Sequence, residues 1–381
     1  MDWLDCGYDL EKSKYHSSNY LSYPELTGEN AMFLCCDLGG SIGAWGIFDP
    51  DKEKLEHKRQ FENTAFPHIY LMMDQYLSEV KGYFGEKKIT RIVIGAAGPI
   101  DSGMVKITNN EGWTISEAEI EKHVSDHGFP EAQCVLINDF AALGYGVIKL
   151  ERIGITEEDY LSVHGRYHPN ERSRSNRESR SLICGPGEGL GIASIINSPS
   201  QLPSPIILTS EGGHHTFAAE SPDQFRLLYP NGEYGEIKSY EQFLSKRGLV
   251  DLYNHYLKHS FEKPTDWDAD AKSVMERAKT GSDQAASDAV EVFAEILANF
   301  CGNSVLTFNC NDTVYLWGGV VRDLSKGLLT SRFKTFYPKR REHRSRVDHV
   351  PVVLLQNPDI PLLGCAYRAE QEALAKPVIS V

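Results

Sequence analysis

"CVLINDFAALGYG", residues 134 to 146, is the stretch on which the reading of the fold turns. Cys134, Val135, Leu136 and Ile137 form an apolar run of the kind that makes a buried strand. It stops at Asn138 and Asp139, and an apolar helix begins at once with Phe140, Ala141, Ala142 and Leu143. Two readings of the polar pair stand at this point. Asn and Asp are favoured helix caps, because their oxygens accept orphan backbone N–H bonds. Open α/β sheets also place their chemistry at the carboxyl ends of strands.

Working outward, "RIVIGAAGPI" upstream predicts another buried strand running into a Gly-Pro turn, and "MVKIT" a short strand. "SEAEIEKHVSD" predicts a helix opened by a capping box from Ser116 to Glu119. "FPHIYLMMDQYLSEVKGYF" has helical spacing, with Ile69, Met72, Met73, Tyr76, Leu77 and Val80 on one side. "MFLCCDLGGSIGAWGIFDPD" gives strand, glycine turn and strand, a hairpin ending at Asp49-Pro50. Residues 1 to 31 are polar and irregular and read as an arm outside the core. Strand, hairpin, helix, strand and helix make a mixed sheet with helices packed on it.

Downstream, "YHPNERSRSNRESRS" (167 to 181) reads as a solvated basic loop. "LICGPGEGLGIASII" then repeats the strand–glycine–strand pattern of the first hairpin, which implies a duplicated architecture. Helices dominate from 239: "SYEQFLSKRGLVDLYNHYL", "DADAKSVMERAKT" and "SDQAASDAVEVFAEILANFCGNSVLTF". "TVYLWGG" and "VPVVLL" read as strands, "DLSKGLLTSRFK" and "PLLGCAYRAEQEALA" as helices.

Bulk properties exclude several classes. A chain of 381 residues exceeds what one average core uses, so two domains are expected. With 41% hydrophobic and 24% charged residues it is not a disordered chain. A formal net charge of -14 repels nucleic acid and anionic lipid. Eight cysteines without C-x-x-C spacing, most inside apolar runs, fit buried reduced thiols and argue against a zinc site made from them. The acidic start lacks a secretory h-region and no apolar stretch is expected to reach membrane-spanning length, so a cytoplasmic location is expected.

Two glycine loops, "DLGGSIG" (37 to 43) and "CGPGEGLG" (184 to 191), are candidates for holding phosphate. Glycine permits positive φ and close approach of backbone N–H groups to a ligand. No Walker pattern occurs, and each loop leads into a strand rather than a helix, which disfavours a dinucleotide-dependent oxidoreductase. Gly318 and Gly319 of "LWGGVVRD" end a strand and open a helix, a geometry that takes a ribose or adenine, or is an ordinary turn. "ILTSEGGHHTFAAES" sets Glu211 beside His214 and His215, which suits a metal site, an acid/base pair or a hydroxyl-binding site. Metal is disfavoured for want of further matching ligands. Glu241 reads as lying on the first turn of a helix, where the dipole already favours an acid. "TNNEGWTIS" sets amides next to Trp113, a surface on which a sugar face could rest.

Taken together, "DLGGS", "AAGPI", "TNNEGW", "INDFAALGYG", "GPGEGLG", "EGGHHTFA", "YEQFLSKRGLVDLY", "LWGGVVRD" and "NPDIPLLGCA" resemble the bacterial-type ATP-dependent glucokinases, from about residue 33 to 374. The resemblance implies an α/β, two-domain actin-like ATPase (ribonuclease H-like) fold, with mixed sheets flanked by helices and an interdomain cleft. It implies a small domain of residues 32–147 plus 362–381 and a large domain of 148–361 bearing the basic loop at 167–181. The implied reaction is ATP-dependent phosphorylation of glucose at its 6-hydroxyl. Asp139 would be the catalytic base, and Asn110, Asn138, Asp139, Glu211, His214 and Glu241 would bind the sugar. Asp37, Gly39, Gly40, Ser41, Gly187, Glu188, Gly189 and Gly191 would face the ATP phosphates, with Gly318 and Gly319 beside the nucleoside. Asp37 would hold Mg²⁺ through water, and a homodimer is the common assembly in the family.

Two positions depart from the family pattern. Its first loop is usually D-x-G-G-T-N-x-R, whereas Ile42 and Ala44 stand here for the Asn and Arg. Its second loop commonly has Thr or Ser where this chain has Glu188, a carboxylate that would repel phosphate unless it turns away or bonds the Mg²⁺ shell. Two alternatives follow: a kinase for another hexose or an amino sugar, and a sugar-binding sensor that has lost ATP use.

Overall fold

In the first half of the chain, the inner strands are apolar along most of their length, so that the sheet can be covered on both faces. The computed structural model describes residues 30–107, 112–169, 178–198, 204–229, 237–258, 270–324 and 328–375. The chain opens with β1 (Ala31–Leu38), β2 (Ile42–Asp49), β3 (Lys54–Glu62), helix α1 (Ile69–Val80) and β4 (Lys88–Ala96). A short meander follows, β5 (Ile100–Asp101), β6 (Met104–Lys106) and β7 (Thr114–Ser116). Then come α2 (Glu117–Asp126), β8 (Gln133–Asn138) and α3 (Asp139–Ile153). The first sheet has the order β3-β2-β1-β4-β8, with β1, β4 and β8 parallel and the two hairpin strands antiparallel.

The second half supplies β9 (Tyr160–His164), β10 (Ser179–Pro186), β11 (Leu190–Asn197) and β12 (Ile206–Ser210). After them come α4 (Lys246–Lys258), α5 (Gln284–Thr307), β13 (Val314–Leu316), β14 (Val352–Leu355) and α6 (Ile360–Ala375). Its sheet runs β12-β11-β10-β13-β14-β9. Apart from β9 on its edge, this is the first sheet's plan again: an antiparallel trio, then two parallel strands. The two strand–glycine–strand units occupy the same place in each, as the duplicated pattern predicts.

Strand alternation sorts the core into layers. Met32, Leu34, Cys36 and Leu38 of β1 face α1 and α2, while Phe33 and Cys35 face α3 and α6. In the second sheet Leu182 and Cys184 face α4 and α5, and Ile183 faces α3 and α6. Helices α3 and α6 therefore lie between the sheets. Ala142, Leu362, Cys365, Ala366 and Ala369 pack on the first sheet, and Leu143, Val147, Ile360, Leu363 and Tyr367 on the second. The two helices cross in backbone contact. A Cβ on Gly364 would sit 1.7 Å from the Ala142 carbonyl oxygen, and one on Gly146 would sit 1.9 Å from that of Ile360. Within this seam Lys149, 2% exposed, donates to Glu370 at 2.8 Å, with Glu53 at 3.4 Å. Removing one partner of such a buried pair strands a charge and costs about 3–5 kcal/mol.

The helix on "FPHIYLMMDQYLSEVKGYF" buries all six residues named from its spacing. Other expectations need correction. Strand β3 is absent from the sequence reading because it is polar and mostly exposed at the sheet edge. Ser116 precedes α2 without a side-chain cap bond, and Glu119 instead accepts from the Tyr70 hydroxyl at 2.7 Å. The basic loop is shorter than 167–181: Tyr167 is buried in the core and β10 begins at Ser179, while 170–177 lie outside the described residues. Of the arm expected over 1–31, residues 1–29 also lie outside them, and Ala31 belongs to the core as the buried first residue of β1. Helix α5 does reach membrane-spanning length and hydropathy, yet it is packed inside the second half's core. No disulfide joins the seven described cysteines, all of them buried.

Candidate active site

The polar pair at the end of β8 divides its duties. Asn138 has extended backbone and caps α3, its Oδ1 accepting from the N–H groups of Phe140 at 2.9 Å and Ala141 at 3.4 Å. Its Nδ2 donates to the Gly98 carbonyl at 3.5 Å. The capping reading thus belongs chiefly to Asn138. Asp139 becomes the first helical residue, accepts from Phe140 N–H at 3.0 Å and lines the groove at the strand ends. Burial pushes the Asp139 carboxyl up to about 6, against the Phe140 N–H and the Asn138 amide, and Glu211 adds repulsion. Asp37, near the end of parallel strand β1 and separated from β8 by β4, is pushed up to about 7 by burial and by Asp139. Both raised carboxyls stand at the strand ends, Asp139 on the groove wall and Asp37 adjoining it.

The groove has a volume of about 940 Å³ and takes its walls from both sheets. Along one wall runs the first glycine loop. Buried Asn63, just past β3, pins it by donating Nδ2 to the Gly39 carbonyl at 2.8 Å and its backbone N–H to the Ser41 carbonyl at 2.9 Å. Opposite runs the second loop, closed by a Gly187 N–H bond to the Gly189 carbonyl at 2.8 Å. Positive φ is not what these loops need. Among Gly39, Gly40, Gly187, Gly189, Gly191, Gly318 and Gly319, only Gly318 has it, at 121°. Close approach explains two others: a Cβ on Gly191 would lie 2.0 Å from the Phe140 ring, and one on Gly189 would lie 2.6 Å from Glu241 Oε2. Phe140 follows Asp139 directly, so Gly191 leaves room for the ring that fixes the start of α3. Gly318 ends the approach from β13 beside Trp317, over whose ring the Arg322 guanidinium lies at 5.4 Å.

Glu188 bridges the two walls. Its Oε1 accepts from Ser41 Oγ at 3.0 Å and from Lys246 Nζ at 2.6 Å. Burial opposes its ionisation, but Lys246 and Ser41 outweigh that and hold the carboxyl below its usual range. At the far end, His214 stands between two acids, Nδ1 at 3.3 Å from Glu211 and Nε2 at 3.3 Å from Glu241. Glu241 also accepts from the Leu190 N–H at 2.9 Å, and its own N–H donates to the Gly213 carbonyl at 2.9 Å. It lies in a turn before α4, not on the helix's first turn, so the dipole does not explain it.

The structure thus brings Asp139, Asn138, Glu211, His214 and Glu241 to the groove that Gly40, Gly187, Glu188, Gly189, Gly191 and Gly318 also line. Asp37, Gly39 and Ser41 adjoin that wall through β1 and the first loop. Gly319 opens the short helix just beyond Gly318. Asn110 lies outside the described residues. Trp113 is 4% exposed within the first sheet's core and offers no face to a sugar. Sequence reasoning missed Asn63, Lys246 and Arg368, which comes to the groove from α6. Lys246 had a signal: a basic "SKRG" step five residues after Glu241. Asn63 had none.

A family model described as Glucokinase matches residues 34–372. The chain belongs to the glucokinase family. That family comprises enzymes that phosphorylate glucose with ATP. Among its relatives, the glucokinase of Photorhabdus laumondii is 27% identical over 344 residues, covering 90% of this chain and 98% of that one. Among solved structures, a glucokinase from an Antarctic psychrotroph superposes with a TM-score of 0.69 at 25% identity, covering 89% of this chain and 99% of that chain. A glucokinase from Balamuthia mandrillaris in complex with glucose gives 0.73 at 17% identity, covering 89% and 93%, a likeness of fold.

Proposed function

We propose that the groove holds glucose and ATP face to face, and that Asp139 takes the proton of the glucose 6-hydroxyl as its oxygen attacks the γ-phosphorus. The new bond joins that oxygen to phosphorus, the bond to the β-phosphate oxygen breaks, and ADP leaves. The observation that carries this is the split at the β8–α3 junction: Asn138 takes over the capping of α3 and leaves the Asp139 carboxylate in the groove, opposite the glycine loops. Phosphoryl transfer asks chiefly for alignment and charge neutralisation, which a positioned base and a loop held close to the phosphates serve. General-base help of this kind contributes roughly 10²–10⁴ in rate.

Glu211, His214 and Glu241 would hold sugar hydroxyls, with Asn138 and Asn110 beside them. The loops at Asp37–Ser41 and Gly187–Gly191 would hold the phosphates, and Gly318 with Gly319 the nucleoside. Asp37 is a hard oxygen donor of the kind Mg²⁺ takes, so it would hold that ion through water and leave Asp139 to take the proton. When bound, Mg²⁺ offsets charge on the transferring phosphates. Lys246 answers the objection raised by Glu188, since its ammonium already compensates that carboxylate.

The repeated strand order supports an actin-like, ribonuclease H-like fold. It also supports a division into a small domain (32–147 plus 362–381) and a large domain (148–361) that close over the sugar. A cytoplasmic homodimer is part of the same proposal: the homodimer rests on the family resemblance, and the location on the buried free thiols. Purified Asp139→Ala should still bind glucose by calorimetry and lose turnover roughly 10²–10⁴-fold in a coupled assay with glucose and Mg-ATP. Near-normal turnover would remove Asp139 as the base. A wild-type protein that binds glucose and never turns over would favour the sensor reading.

A further inference from the structure

A second constellation of metal-ligating side chains lies outside the groove. Asp74 of α1 meets His123 of α2 and His127, the residue that ends α2. Asp74 Oδ1 is 2.6 Å from His123 Nε2 and 2.8 Å from His127 Nε2. The two histidines are four apart, which sets both rings on one side of the helix end. Their ring centroids are 5.2 Å apart. All three donor atoms lie within 4.8 Å of one another.

This geometry differs in kind from that at His214. There the two carboxylates sit at opposite nitrogens of one ring, so a single ion cannot reach all three groups. Here two separate rings turn the same nitrogen toward one carboxylate oxygen. Neither helix contributes a residue to the groove wall.

We propose that Asp74, His123 and His127 form a binding site for a zinc-class divalent ion that clamps α1 to α2. Two imidazoles and one carboxylate select zinc, cobalt or nickel over the hard ions magnesium and calcium, which take oxygen ligands. To admit the ion, each ring moves its proton to Nδ1 and offers the Nε2 lone pair, and water completes the coordination. Metal–ligand bonds of roughly 2.0–2.2 Å require the three groups to spread slightly from their present hydrogen-bonded spacing. Both histidines are at least partly exposed, so the ion has a path in.

The test uses the whole chain stripped with chelator, titrated with Co²⁺ and Zn²⁺. Wild type should take up one equivalent of Co²⁺ with visible absorption of a four- or five-coordinate site, and Zn²⁺ should displace it. At about one hundredfold excess over Kd, Zn²⁺ should raise the melting temperature by a few degrees, and Mg²⁺ should not reproduce this. His123→Gln with His127→Gln should abolish the cobalt absorption and the thermal shift. The exposed single variant His127→Gln, which leaves the core untouched, should weaken binding about tenfold or more. Cobalt absorption and thermal shift that persist in the double variant, or that are missing from wild type, would overturn the site.

Discussion

Replacing Asp139 by Asn should cost the protein its chemistry and repay it in stability, and the repayment should depend on pH. The isosteric amide keeps an oxygen that accepts from the Phe140 N–H, so the start of α3 is preserved. It removes a carboxylate that burial has pushed from its ordinary 3.8 up to about 6. At 1.36 kcal/mol per pH unit, that difference amounts to about 3 kcal/mol of disfavoured ionisation in the fold. The side chain is partly exposed in the groove, and solvent screening brings this down to about 1–2 kcal/mol. Below the unfolded pKa both states carry the neutral acid and nothing is lost. As pH rises toward 6 the unfolded chain ionises first, and above 6 the penalty is complete. Urea unfolding at pH 8 should therefore show Asp139→Asn more stable than wild type by about 1–2 kcal/mol, with the gap closing toward pH 4. Its kcat should fall by roughly 10²–10⁴. A variant less stable than wild type at pH 8, or a gap constant across pH, would refute the claim that Asp139 is held in the groove at a cost.

Glu188→Ser should lower the KM for ATP several-fold with little change in kcat, because it withdraws a carboxylate from the loop opposite Ser41. Lys246→Ala should raise that KM by leaving Glu188 uncompensated, and steady-state kinetics at varied ATP will distinguish the two. Ala44 is the cross-strand partner of Asp37, which places an arginine at that position on the same face as a carboxyl raised to about 7. Ala44→Arg should shift the acid limb of kcat/KM down by about one pH unit or more, and an unmoved profile would exclude Asp37 from that limb.

Most of the frame was legible because burial writes itself as periodicity. The six inward residues of α1 and the paired strand–glycine–strand units follow directly from apolar spacing. Strand β3 escaped because an exposed edge carries no alternation: Lys54, His57, Lys58, Arg59 and Gln60 could equally be a loop. At the site, residue types and rough positions were legible, but their partners were not. Nothing in "INDF" says that Asn138 caps the helix and so leaves Asp139 in the groove. Glu241 looked like a first-turn acid because hydrophobic periodicity extends back past the true start of α4. The basic step at Lys246 was visible, but its pairing with Glu188, 58 residues away, was not. The glycines were read as positions of positive φ and of close approach to a ligand, whereas at Gly189 and Gly191 it is the protein's own Glu241 and Phe140, both distant in sequence, that leave no room for a Cβ.

The placement of α6 bears on how the molecule is made. Both sheets present an apolar face to the seam, yet one of the two helices filling it is synthesised after every strand it covers. Until the ribosome releases Leu362 through Tyr367, the nascent halves can fold their outer layers but cannot seal against each other. A message truncated before that segment would yield a polypeptide with two greasy surfaces on display, a ready target for chaperones and proteases.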